Sequence, residues 1–415
     1  MLTTLFTFIY FILLFLYVLK RNKYKFDLSS YILSIFTGSL FFSVILMTMG
    51  KGASNDPFYV PSIEPSIVYC GLITLCTIPF ISHSNLKIKG ISPIKNQSLL
   101  NAIAWISVVF FLLNIGFSWN DLISSLSGDL GEIRSNHYIV DDSNSWLSNL
   151  PNGFKQICII CNIVFSVPWI MIYLALYNLI TQKAKRTSIL LLIGSLSGLT
   201  GNILVGGRSG FIFWVLSFGA VYILLRPFMQ VRHIALLKKI MSFLLFCFIA
   251  YIAIVTISRF GDSDSGTKGS IFEYAGQPFI NFCYFYDTFK CPLPSLQIVF
   301  PFLYYLIGWP IQSSGELQET LSILSNEQLG LFYTFIGHIA TTSFNFVAII
   351  FCFLYALVSN ILLKNLLVQK GNLKSCYVLL ASGSVMFLGL FGHYYSDWSR
   401  TLCVIIFFFL ILKIK

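Results

Sequence analysis

Long apolar runs follow one another along almost the whole chain, separated by short polar connections. Eleven stand out, at roughly 2–19, 28–49, 62–82, 97–117, 156–180, 188–205, 210–225, 240–258, 344–363, 375–393 and 399–412. None needs a charged residue in its interior. At about 1.5 Å of rise per residue, about 20 helical residues cross the hydrocarbon core of a bilayer. A backbone in lipid must satisfy its own polar groups, which a helix does within one segment. The pattern therefore predicts an all-α fold, a polytopic integral membrane bundle with about 11 transmembrane helices (10–12). Residues 1–415 form a single transmembrane domain on this reading, and Met1–Leu19, which lacks a basic leader, is its first span rather than a cleaved signal.

One segment tests the count. Ser295–Ile311 is apolar, but Pro301 and Pro310 interrupt it. A crossing there would leave Glu316, Glu319 and Glu327 beside no basic residue. Residues 259–343 are thus expected to form one long loop carrying interfacial or re-entrant helices. A second large loop is expected at 118–155. Loops of such length usually fold and carry function.

Composition agrees with lipid as the main solvent. Hydrophobic residues make up 56% of the chain and charged residues only 10%, with a mean hydropathy of +0.80. Soluble domains carry about 25% charged residues. The net charge of +11 does not point to nucleic acid, because the basic residues are scattered in short clusters between the apolar runs.

Those clusters set the orientation. Alternate connections hold Lys20, Arg21, Lys23 and Lys25; Lys87, Lys89 and Lys95; Lys183, Lys185 and Arg186; Arg226, Arg232, Lys238 and Lys239; and Lys364, Lys370 and Lys374, with Lys413 and Lys415 at the end. Together these are 19 of the 27 basic residues, against one acid, Asp27. The other side carries 15 of the 16 acids. By the positive-inside rule the N-terminus is outside and the C-terminus cytoplasmic, as expected for a multi-pass protein of the bacterial inner (cytoplasmic) membrane with a periplasmic working face.

The ten cysteines are spread singly. Cys158 and Cys161 open an apolar helix without a second pair, so zinc is not expected. Cys283 and Cys291 fall in the long loop, where they could pair.

The segment richest in chemistry is Gly206-Gly207-Arg208-Ser209-Gly210. Only 39 residues separate Arg186 from Arg226. Two crossings of about 20 residues use nearly all of that length, so Arg208 sits at or below the outer headgroup level. An arginine at that depth needs protein, water or an anion beside it. Glycine amides and a guanidinium together suit a diphosphate, although a hairpin turn with a snorkelling arginine fits the same pattern. Arg134, Arg259 and Arg400 are the other arginines expected outside. His338, just before the ninth run, is a candidate proton acceptor, with His137 and His393 weaker ones. The loops are also aromatic, with Phe272, Tyr274, Phe279, Phe282, Tyr284, Phe285, Tyr286, Tyr304, Tyr305 and Trp309. An interfacial belt explains these rings as well as sugar stacking does. P-loop, GxGxxG, HExxH and GxSxG signatures are absent.

With these features the chain resembles the O-antigen polymerases, the Wzy-type oligosaccharide repeat-unit polymerases. The likeness lies in the many spans, the large loop in the second half and the mid-chain Gly206-Gly207-Arg208-Ser209 after an apolar run. It implies a GT-C-like membrane glycosyltransferase architecture and a role in lipopolysaccharide or other surface-polysaccharide biosynthesis. The implied enzyme moves a glycan from one undecaprenyl diphosphate carrier to a hydroxyl of a second lipid-linked repeat unit. It implies catalytic roles for Arg208, Arg259 and His338, with Asp262 or Glu273 as other possible bases. Gly206, Gly207, Ser209, Arg134 and Arg400 become candidates to hold the lipid diphosphate or the glycan. The partners are then the undecaprenyl diphosphate-linked oligosaccharide, membrane lipids and a chain-length regulator protein, with no cofactor, metal or nucleic acid. An O-antigen ligase is the nearest alternative. A polysaccharide transporter or flippase is another, although ion-coupled transporters place ionisable groups near the midplane.

Overall fold

The computed structural model describes residues 1–117, 152–199, 209–260, 266–309, 314–367, 373–391 and 398–411, apart from 86, 87, 89, 95, 166, 183, 298 and 330–332, together with residues 119 and 123. All regular structure among the described residues is helical. The helices are α1 (Leu2–Arg21), α2 (Leu28–Thr48), α3 (Ile63–Ser82), α4 (Gln97–Phe117), α5 (Asn152–Phe165), α6 (Pro168–Thr181), α7 (Lys185–Gly194) and α8 (Ser209–Leu225). There follow α9 (Val231–Phe260), α10 (Gly266–Thr288), α11 (Pro301–Leu306), α12 (Ser314–Ser325), α13 (Phe335–Thr342), α14 (Asn345–Leu367), α15 (Leu373–Phe387) and α16 (Trp398–Ile411).

Among the described residues seven helices are long and apolar enough to cross a membrane, or eight if α5 and α6, which meet at 68°, form one span. The bend falls where Pro168 opens α6 after an extended Val167, as proline requires of its neighbour. The chain is therefore a polytopic helical membrane protein. Three of the eleven expected spans sit on shorter helices, α7, α15 and α16, of 10, 15 and 14 residues. At 1.5 Å per residue such helices fall short of the ~30 Å hydrocarbon core. Each stops for a local reason where the chain is described. After α7 the backbone turns at Ser195, and α15 gives way to a 3-10 turn, Gly389–Phe391.

The described chain divides into two compact units. The first comprises Met1–Lys89 and Ile271–Phe409, and the second Gly90–Ser270 and Leu410–Lys415.

In the first unit α1, α2, α3 and α14 are the full-length spans, and α3 packs along α14. Cys76 and Cys352 meet there, both wholly buried, with the Cys76 thiol 3.9 Å from the Cys352 carbonyl. Small side chains let two backbones approach in lipid, and free cysteine serves as one. Asp27, the lone acid among the lysine-rich connections, is wholly buried as the N-cap of α2. It accepts from the Ser30 N–H (2.9 Å) and from the hydroxyls of Ser29, Ser30 and Ser84. The Leu28 N–H donates to Asn85, so the start of α2 is tied to the end of α3. A carboxylate at a helix N-terminus is favoured by the dipole and by the open amides, which explains an acid on the basic side.

The expected long loop holds α10 to α13, and among the described residues of Ser295–Ile311 only α11, six residues long, forms. Its longest helix, α10, is fastened to α2 by an unusual device. Pro278 lies inside α10, where it removes one helical N–H and clashes with the preceding turn. The next two carbonyls after the one that N–H would have reached accept from α2. Ser39 donates to the Ala275 carbonyl and Ser43 to the Gly276 carbonyl, both at 2.6 Å. Hydroxyls from a neighbouring helix thus brace the turn that the proline weakens. Gly276 permits the approach, since a Cβ there would stand 2.7 Å from the Phe42 carbonyl carbon and the Ser43 nitrogen.

Candidate functional site

In the second unit, α8 and α9 form an antiparallel hairpin. The 3-10 turn Arg226–Phe228 closes it at one end. Aromatic side chains join the two helices: Phe211 meets Phe248 (4.7 Å between ring centres) and Tyr251 (4.6 Å), and Trp214 meets Phe248 edge-on. Ser209–Phe228 is one full-length candidate span. Ser209 and Arg226 therefore mark opposite ends of one crossing, with Arg226 in a basic connection. Gly206, Gly207 and Arg208 lie outside the described residues, but Ser209, which follows them, is half-buried in the first turn of α8. The dipole of a helix favours an anion at this end.

Arg259 ends α9 at the same end of the hairpin. From the Phe211–Tyr251 contact, its backbone stands about 10 Å beyond Ser209 along the helix axis, at 1.5 Å per residue.

The end of α7 is placed by its own contacts. Trp214, almost wholly buried, donates its indole N–H to the Ser195 hydroxyl at 2.9 Å, linking α8 to the end of α7. Gly194 packs so tightly on Ser107 of α4 that a Cβ would fall 2.1 Å from its Oγ. These contacts explain why an apolar run of 18 residues does not continue as one straight helix.

In the first unit the structure joins residues that no motif marked. The C-terminal half of α10 is latched to the connection between α2 and α3. Tyr59 donates to Asp287 at 2.7 Å, and Ser62 to its other oxygen at 3.2 Å. The Ser54 N–H donates to Asn281, whose amide returns a bond to the Ser54 hydroxyl. Tyr284 donates to Glu327 at 2.7 Å, and Asn55 donates to the second oxygen of that carboxylate. Lys51 pairs with Glu273. Burial and then the Asp287 hydrogen bond push the Tyr59 phenol well above its ordinary range. Burial and then Glu327 push that of Tyr284 up to about 12. Both stay protonated at neutral pH and act as donors. Glu273, one of the expected bases, is thus engaged by a lysine, and Asp262 lies outside the described residues.

His338 lies in α13 with only 1% of its surface exposed, its ring stacked on Tyr333 at 6.0 Å. Gly337 lets Tyr333 fold back over that turn, for a Cβ there would stand 2.9 Å from the Tyr333 Cβ. Thr341, Thr342 and Ser343 turn their hydroxyls back onto the carbonyls of Gly337, His338 and Ile339 and close the helix. The histidine therefore sits in packed protein rather than at a water-facing surface, and can serve an acceptor only if the hydroxyl is brought to it there.

Arg134 and the greater part of the 118–155 loop lie outside the described residues, as do His393 and the side chains of Arg259 and Arg400. Cys283 and Cys291, which could have paired, do not. Both are free thiols, and Cys283 is wholly buried on the inner face of α10. Cys158 and Cys161 are also free, and the described residues hold no cluster of metal-ligating side chains.

Compared with known protein families, characterised proteins and solved structures, the chain matches none.

Proposed function

We propose that this protein is a surface-polysaccharide polymerase of the O-antigen polymerase type, working at the periplasmic face of the bacterial inner membrane. The observation that carries the proposal is the Gly206-Gly207-Arg208-Ser209 sequence at the head of a full-length crossing whose far end is Arg226. That arrangement keeps a guanidinium where a carrier lipid holds its phosphates, on the face opposite the basic connections. The convergence of the α9 terminus on the same end adds Arg259.

In the proposed reaction the bond between the donor sugar's anomeric carbon and the diphosphate oxygen breaks. The electron pair leaves with the undecaprenyl diphosphate, and the acceptor hydroxyl oxygen bonds to the anomeric carbon as its proton passes to a base. Arg208 and Arg259 stabilise the charge that builds on the leaving diphosphate. Ser209, Gly206 and Gly207 cradle it with amides, and Arg134 and Arg400 are assigned to the glycan or its carrier. His338 and Asp262 are the remaining candidates for the base, distinguished by comparing His338→Gln with Asp262→Asn. The donor carries its own activated bond, so the chemistry requires neither nucleotide nor metal.

Arg208→Ala should lower polymerisation by roughly 100-fold or more, the usual cost of removing one charge-stabilising donor. In cells the polysaccharide ladder should collapse to single repeat units on the lipid core, with protein abundance unchanged. An intact ladder rejects the polymerase role. Loss of single repeats as well would favour a ligase or flippase.

A further inference from the structure

The first unit carries a rigid apolar turn that the proposed reaction does not use. Over Cys291–Gly315 the sequence has no charged residue. Within it α11 is a single closed turn. Gly308 takes a left-handed φ of +71°, the Trp309 N–H reaches back to the Tyr304 carbonyl at 3.0 Å, and the Gly308 N–H to Tyr305 at 3.1 Å. The Trp309 ring meets Tyr304 edge-on at 5.1 Å. Together these make a Schellman ending with its hydrophobic contact, so the turn has a fixed shape. Yet it displays Leu303, Tyr305, Leu306, Ile307 and Trp309 with 49% to 69% of their surfaces exposed. A solvated loop would not order five large apolar side chains towards water.

The position says what covers them. The Ser295 N–H donates to the Thr342 carbonyl at 2.8 Å, which fixes the neck of the turn beside the start of α14. There the exposed surface of that span begins, with Phe344, Phe346, Ile349 and Ile350. The apolar turn is continuous with a lipid-facing wall, and its tyrosine and tryptophan are the residues that prefer the membrane interface.

We propose that α11 is a membrane-dipping wedge, inserted among the acyl chains of the leaflet on the acid-rich side and anchoring the long loop to the bilayer surface. This holds whichever reaction the protein performs, and its test reads no activity. The environment-sensitive fluorescent amino acid Anap replaces Tyr305 in the full chain, or Trp309 in a second variant, and Glu319 on exposed α12 serves as the aqueous control. The protein is placed in phosphatidylcholine vesicles with and without brominated acyl chains. At 305 and 309 the emission should be blue-shifted from the control, lost in brominated lipid and resistant to iodide in the buffer. Gly308→Val, which the left-handed φ disfavours, should reduce the quenching by brominated lipid at 305. Quenching by iodide alone would overturn the wedge. Insensitivity to both quenchers would also overturn it, showing that protein, such as a second copy of the chain, covers the turn.

Discussion

Two helices of this protein begin from glycine-bearing segments and are held in opposite ways. α10 is fastened by polar bonds: Ser39 and Ser43 on two of its carbonyls, Tyr59 on its Asp287, and its own Tyr284 on Glu327. α8 is held against α9 by tilted and edge-on rings, and its Trp214 donates to Ser195. Polar bonds in a low-dielectric setting fix one register, because leaving any member unpaired is costly. Ring packing tolerates small shifts. The contrast separates a helix of fixed register from one held more permissively. Neither helix bears an arginine, and the one held by rings follows Arg208 directly in the sequence.

The largest effect should come from forcing α10 off α2. Gly276→Val places carbon against backbone atoms that cannot swing aside, and should cost about 2–3 kcal/mol in the range of overpacking substitutions. Thermal unfolding in detergent, followed by circular dichroism, reads it, and an unchanged midpoint would refute the close approach.

A smaller loss is expected from removing the two serine hydroxyls. Ser39→Ala and Ser43→Ala should each cost roughly 1 kcal/mol, the net worth of one such hydrogen bond. A double variant as stable as the parent would refute that contribution.

These features mark where the sequence stops being legible. Hydropathy located the spans because each depends only on a local run of apolar residues. The position of α2, for example, is readable from Leu28 to Thr48 alone. The serine bonds join residues 236 and 233 positions apart, and nothing in a local window announces them. A signal existed all the same: Ala275-Gly276 two residues before a proline, and two serines four residues apart on a span. The run at 188–205 was read as continuous because apolar composition does not register a glycine packed on Ser107 or a serine taken by a tryptophan. On the candidate site, the sequence marked Arg208 through charge placement and span length. It could not foresee that Lys51 would engage Glu273, nor that His338 would lie beneath Tyr333.

The mildest test uses pH to loosen only the polar side of the contrast. Tyr284 titrates from an unfolded value near 10 to about 12 in the fold, so its neutral form is the one folding favours. The stability it contributes is complete below about pH 10 and is lost as pH rises towards about 12. Melting temperature should fall over that window, and Tyr284→Phe should flatten part of the fall. A parent and variant declining in parallel would show that the Glu327 contact does not contribute.

The most direct measurement concerns the side of the membrane on which residue 208 stands. Arg208→Cys, compared with the parent to correct for native thiols, is treated in intact spheroplasts with a membrane-impermeant cationic thiol reagent. The account predicts labelling from outside, at the end of the crossing that Arg226 closes on the other face. Labelling only after the membrane is opened would put position 208 on the cytoplasmic side and leave the proposed diphosphate site without a place.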